Sequence, residues 1–193
     1  MRASLSVDRG IADEFSTQAE HNGKTLYAFA NEWMEAASKI SAEGGTAQDV
    51  LGEWRVFSIL KQVEIITLPA DFVEELISKL YATEKANLLN MFAKLGEDLV
   101  GLMKMVAPDI EQLGDLAIHF AEIIPTKKID IRRTDGNSLE VNIIGAGRMI
   151  ETTECSFEFI KAILNGYGYS VASQELHVGT IMIKCSKRNL HIS

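Results

Sequence analysis

The sequence predicts an α+β protein: an N-terminal β-strand, helix, helix dimerisation module, then a helical layer with an antiparallel sheet of two hairpins and a crossing helix. Three observations carry that expectation. Apolar residues recur at helical spacing through most of residues 11–124. Beyond Pro125 the pattern shortens to β-branched runs parted by the turn signals Asp135-Gly136-Asn137 and Gly179. The three prolines, Pro69, Pro108 and Pro125, all fall between periodic stretches, where a missing N–H and a fixed φ do least damage.

Taken in order, residues 3–7 alternate apolar and polar as a half-buried strand does, with Ala3, Leu5 and Val7 on one face and Arg2, Ser4 and Ser6 on the other. Asp8 offers a helix cap, Ile11, Ala12, Phe15 and Ala19 follow at helical spacing, and His21-Asn22-Gly23 supplies a stop. Thr25 caps a second helix with Leu26, Phe29, Ala30, Trp33, Met34 and Ala37 in its apolar stripe, ended by Gly44-Gly45. A third helix over about 47–63 puts Val50, Leu51, Trp54, Phe57, Ser58 and Leu60 inward. Three more follow, capped in turn by Asp71, Thr83 and Asp109. Strands over 128–134 and 139–145 make the first hairpin. A helix over 151–165 crosses, ended by Gly166, and strands over 169–178 and 180–186 close the chain. The expected division is a module at 1–45, a helical linker at 46–68, an α+β domain at 69–187 and a tail at 188–193.

Of the 193 residues, 47% are hydrophobic and 24% charged, which excludes a fibre or a disordered tail. No apolar run approaches the roughly 18 residues of a membrane span, and Asp8 and Arg9 interrupt any signal-type core. The expectation is a cytoplasmic protein with no membrane partner. Two cysteines, Cys155 and Cys185, cannot build a disulfide framework and read as buried thiols. The net charge of −8 is spread as −3 over 1–45, −1 over 46–68 and −4 over the rest, so any polyanion contact must rest on a few placed groups. Lys127, Lys128, Arg132 and Arg133 alternate with Ile129 and Ile131 and read first as the solvated face of a strand.

The order strand, helix, Gly-Lys-Thr turn, helix in residues 1–43 resembles the ribbon-helix-helix family of DNA-binding repressors. The resemblance implies a homodimer whose paired strands enter the major groove, with Arg2, Ser4 and Ser6 as readers of base edges. It implies a phosphate anchor at the second helix N-terminus, at Lys24, Thr25 and Leu26. The acidic balance of this segment argues instead for a module that only dimerises.

Residues 69–187 are similar to the 4-vinyl reductase family of small-ligand-binding domains, related in fold to TRAPP subunits and to haem-dependent nitric-oxide sensors. The resembling stretches are 72–105, especially Ala93-Lys94-Leu95-Gly96-Glu97-Asp98-Leu99-Val100-Gly101, and Glu154-Cys155-Ser156-Phe157-Glu158-Phe159-Ile160 leading to Gly168-Tyr169-Ser170-Val171. The family encloses a cavity for a small hydrophobic molecule. Phe72, Leu76, Phe92, Leu99, Met103, Phe120, Phe157 and Ile160 are the expected lining, since Phe and Met on converging helices suit an apolar ligand. The same resemblance implies zinc on Cys155, Glu175, His177 and Cys185, but separations of 20, 2 and 8 residues lack the paired spacing of structural zinc sites. Two small buried hydrophobes are the favoured reading of the cysteines.

Val141–Ile150 opens like a dinucleotide fingerprint but holds Ile150 at the third glycine position and has too little chain beyond it. No nucleophile, base and acid assemble in the sequence, so an enzyme is not expected. Together the two resemblances imply a one-component transcription regulator in which DNA is bound by the N-terminal ribbon and a small apolar ligand is sensed by the second domain. The rival class is a dimeric small-molecule-binding or scaffold protein that does not bind DNA.

Overall fold

A computed structural model describes residues 5–62, 64–66, 68–123, 126–135 and 137–188. It is an α+β protein whose described elements run α1 (Arg9–His21), α2 (Leu26–Ala42), α3 (Ala47–Gln62), α4 (Ala70–Val106), α5 (Ile110–Ile123), β1 (Lys128–Asp135), β2 (Ser138–Ile144), α6 (Ile150–Gly166), β3 (Tyr169–His177) and β4 (Thr180–Lys187). The chain divides into two compact units at Leu51/Gly52, inside α3.

The first unit is a helical hairpin of α1 and α2. Thr25 caps α2 by accepting from the Ala28 N–H at 3.2 Å. Ala19 and Phe29 are its buried residues, and Phe29 packs its ring 4.8 Å from Phe15 and 6.0 Å from Trp33. Of the predicted strand, Leu5–Val7 is exposed chain without ladder partners, and Met1–Ser4 lie outside the described residues.

In the second unit the sheet runs β1-β2-β4-β3, antiparallel throughout. The register places Ile129 against Ile143 and Ile143 against Ile181, then Ile131 against Val141 and Val141 against Ile183, so one face is a block of β-branched residues. Period-two alternation sends Lys128, Asp130 and Arg132 to the opposite face, where Asp130 pairs with Arg132 at 2.6 Å. The hairpins fall where Asp-Gly-Asn and Gly179 predict them, the first with the Asn137 N–H donating to the Asp135 carboxylate at 2.9 Å.

Helix α6 packs on the sheet and α4 packs along α6. The two helices predicted over 71–106 are present and meet at a kink at Glu84 (φ −136°, ψ 38°), running on as the single element α4. Thr83 does not cap a new helix; its hydroxyl turns back to the Lys79 and Leu80 carbonyls, a bond that bends a helix rather than starting one. Asp71 likewise does not cap but pairs with the Arg148 guanidinium, while Pro69 holds the cap position of α4. At Gly96 an added Cβ would stand 2.4 Å from the Phe159 carbonyl oxygen, and at Gly166 2.4 Å from the Val100 side chain, so the two helices come into close contact where the glycines sit.

The inward face of α3 differs from the predicted one. Gly52, Val56 and Ile59 are buried, while Leu51, Trp54 and Phe57 are exposed. Aromatic bulk suggested the wrong stripe; the smaller stripe is the one that approaches α5, where a Cβ on Gly52 would lie 2.2 Å from the His119 ring. Val56 and Ile59 therefore belong to the main core, so the segment 46–68 contributes packing as well as connection.

Candidate functional site

An apolar cavity of about 490 Å³ lies in the second unit between the helices and the apolar face of the sheet. Helical periodicity builds its walls. Leu95, Leu99 and Met103 follow one another at four-residue spacing on α4, Leu113, Ala117 and Phe120 take one face of α5, and Phe159, Ile160, Ile163 and Leu164 come from α6. Ile129 and Ile131 of β1 and Val141 and Ile143 of β2 form the sheet side, and Ile59 and Leu60 of α3 complete it. The polar wall residues are Asp98, Thr126 and Ser156, and among the described residues no lysine, arginine, histidine, cysteine or tyrosine belongs to the lining. Ile65, Leu95 and Asp98 are both in the wall and exposed, so they mark the mouth.

Of the residues expected to line a pocket, Leu99, Met103, Phe120 and Ile160 lie in this wall. Phe157 is buried in the main core, and Phe92 packs on a smaller cluster of Ile77, Leu88 and Cys155. Phe72 and Leu76, 49% and 42% exposed, stand on the part of α4 before the break. Most of the wall was passed over by sequence reasoning; Ile129, Ile131, Val141, Ile143 and Ile163, among others, carry only the ordinary signature of core strands and helices.

The loop Gly145–Arg148 closes one end of α6. The Gly179 N–H donates to the Thr153 hydroxyl at 2.9 Å, and the Gly179 carbonyl accepts from the Gly145 N–H at 2.7 Å. Gly179 has φ +70° and a Cβ there would meet the Gly147 carbonyl at 2.7 Å, so this turn demands glycine twice over. The Arg148 N–H donates to the buried Glu74 carboxylate at 2.6 Å. Further along, Glu154 takes both the Tyr81 hydroxyl and the Lys85 ammonium, the latter at 2.8 Å. The Lys85 hydrogen bond, helped by Tyr81, holds the Glu154 carboxyl below its ordinary value. Burial, reinforced by the Glu154 carboxylate, pushes the Tyr81 hydroxyl up.

The residues expected to hold zinc are not brought together. Cys155 is buried on α6 and Cys185 in the main core on β4, whereas Glu175 and His177 are exposed on β3. Among the described residues no three His, Cys, Asp or Glu side chains converge on a common point. Burial pushes each thiol up to about 11, which keeps both protonated and poor as ligands. Of the residues expected to meet DNA, Arg2 and Ser4 lie outside the described residues, and Ser6 is exposed in unpaired chain. The Lys24 ammonium is engaged by Glu32, and the Thr25 hydroxyl by its own helix.

No family model matches the chain, and no curated protein does. Four solved chains match. One comes from a study of heme distortion in the H-NOX family, at 13% identity and TM-score 0.44, covering 74% of this chain and 89% of that one. A second is an Fe(II) unliganded H-NOX variant from K. algicida, at 13% identity and TM-score 0.43, covering 82% and 96%. A third is an H-NOX mutant from T. Tengcongensis, at 11% identity and TM-score 0.42, covering 84% and 97%. The neighbours described are thus H-NOX chains, neither ribbon-helix-helix repressors nor 4-vinyl reductase domains. Both family resemblances read from the sequence are corrected by this finding, and the DNA-binding transcription regulator that rested on them is withdrawn with them. Among the described residues no helix is long and apolar enough to cross a membrane.

Proposed function

We propose that this protein binds a small apolar molecule in the cavity of its second unit. The observation that supports the reading is the cavity itself: about 490 Å³, walled almost wholly by aliphatic side chains, within the range of small-molecule sites. Well-packed interiors hold few voids larger than a water, so a space of this size is a site rather than slack. An apolar void of ~150 Å³ holds one benzene, which scales to a ligand of roughly twenty non-hydrogen atoms here.

The H-NOX neighbours raise haem as an occupant, and the wall does not fit it. Haem iron takes histidine, cysteine, methionine or tyrosine, and the described wall offers the thioether of Met103 alone. Nor does any described wall residue carry a positive charge for the acidic edge of a porphyrin. The reading is therefore of a metal-free lipophilic ligand.

The test uses the neutral fluorophore Nile red with the whole chain. Wild type gives saturable, blue-shifted emission with one site per chain, and Ile160→Trp, which fills the cavity, weakens it at least tenfold while the fold persists by circular dichroism. Equal binding by both proteins overturns the reading.

The reading includes a homodimer through the first unit. Two helices with Ala19 and Phe29 as their buried residues fall short of a self-sufficient core, while Ile11, Leu26, Tyr27, Trp33 and Met34 stay exposed. Sedimentation equilibrium reporting a monomer at tens of micromolar contradicts it.

A further inference from the structure

Among the described residues the cavity has one charge in its wall, and that charge is negative. Asp98 lies at the mouth beside the exposed Leu95 and Ile65, and among the described residues no hydrogen bond or ion pair engages it. Lys94, one turn earlier on α4, forms no salt bridge with it. The deeper polar groups, the hydroxyls of Thr126 and Ser156, are neutral. A carboxylate- or phosphate-headed amphiphile entering tail first would bring its anion up to Asp98 and find no cation in the described wall to offset it. A protonated amine would find there a carboxylate acceptor that no described partner engages, in a half-apolar setting where such a pair is stronger than in bulk water.

We infer that the cavity selects an amine-headed lipophile, its apolar body within the walls and its ammonium at Asp98, and discriminates against the matching carboxylate. This inference rests on the cavity being a binding site, as proposed above.

The experiment displaces Nile red from the full chain with dodecylamine, dodecan-1-ol and dodecanoate, all below their micellar concentrations, at pH 7 and low salt. The three share one tail and differ in head charge, so differences report the head. The expected order is amine, alcohol, carboxylate, with about a fivefold step between amine and alcohol, the size of one partly screened charge pair. Asp98→Asn is a change at an exposed helix position and leaves the fold intact; it reduces the amine's advantage over the alcohol to about one. Asp98→Lys reverses the order of amine and carboxylate. Added salt at about 0.5 M shrinks the amine step but leaves the alcohol in place. If all three displace the dye equally, or Asp98→Lys leaves the order unchanged, the charge selection is overturned while the cavity reading stands. If Nile red and the alcohol both fail to bind, the cavity reading falls and the selection with it.

Discussion

The contact between α4 and α6 gives a prediction whose sign is set by magnitudes. Gly96 and Gly101 both lie within α4, and replacing either by alanine gains about 1 kcal/mol of helix propensity. At Gly101 the new Cβ meets nothing within 4 Å, so the gain stands alone. At Gly96 it lies 2.4 Å from the Phe159 carbonyl oxygen and 2.9 Å from the Ala162 Cβ. A carbonyl cannot rotate away as a side chain does, so α4 and α6 must part, an overpacking cost of about 1–3 kcal/mol. Because the propensity gain cancels between the two variants, their difference isolates the clash. At roughly 2–4 °C per kcal/mol for a unit of this size, Gly96→Ala melts roughly 2–12 °C below Gly101→Ala. Thermal denaturation followed by far-ultraviolet circular dichroism reads both, with urea midpoints as a second measure. If Gly96→Ala is as stable as Gly101→Ala, the backbone contact between α4 and α6 does not exist as described.

Two further outcomes follow from the ionisable groups. Glu154 is held below its ordinary value of 4.5 by Lys85 and Tyr81, so its folded pKa is depressed. Its contribution is then fully present above about 4.5 and is lost as pH falls through the lower folded value; wild type should lose urea stability between about pH 5 and 3 more steeply than Glu154→Gln, and parallel curves would contradict the pairing. Cys155 and Cys185 are buried with thiols pushed up to about 11, so at about pH 8 a thiol-specific disulfide reagent should leave both unmodified in native protein and label both in urea. Rapid native labelling of either would place that cysteine elsewhere.

Much of the second unit was legible because its signals are local. Asp135-Gly136-Asn137 and Gly179 punctuate alternating β-branched runs, and the hairpins formed where those signals lie. Asp109 caps α5 as read, its carboxylate accepting from the Gln112 N–H at 2.8 Å. What failed depends on partners the sequence does not display. Thr83 has the chemistry of a cap, but the break between the two helical stretches falls one residue later, at Glu84, and the Thr83 hydroxyl turns back to the carbonyls of the preceding turn. Trp54 and Phe57 outweigh Val56 and Ile59 in any count of hydrophobicity, but only the smaller stripe admits α5. The cavity was half visible for a similar reason. Leu99, Met103, Phe120 and Ile160 stand on helical stripes that converge, whereas Ile129, Ile131, Val141 and Ile143 differ in no chemical respect from strand residues that pack against protein. Whether an isoleucine faces a neighbour or a void is a property of the whole fold. Phe72 and Leu76 have the composition of a pocket and stand in solvent, because residue type reports burial on average and not at a given turn of a helix.

The central claim is that an apolar molecule enters this particular cavity, and methyl NMR on isoleucine-, leucine- and valine-labelled protein tests it most directly. Titrating dodecan-1-ol, whose binding does not depend on Asp98, should shift the methyls of Ile59, Leu99, Ile143 and Ile163 in the wall and produce contacts between them and the alkyl chain. The methyls of Leu80 and Ile150, which are exposed and outside the wall, should hold still. Shifts confined to those exposed residues, with the four wall methyls unmoved at saturating alcohol, would contradict the account.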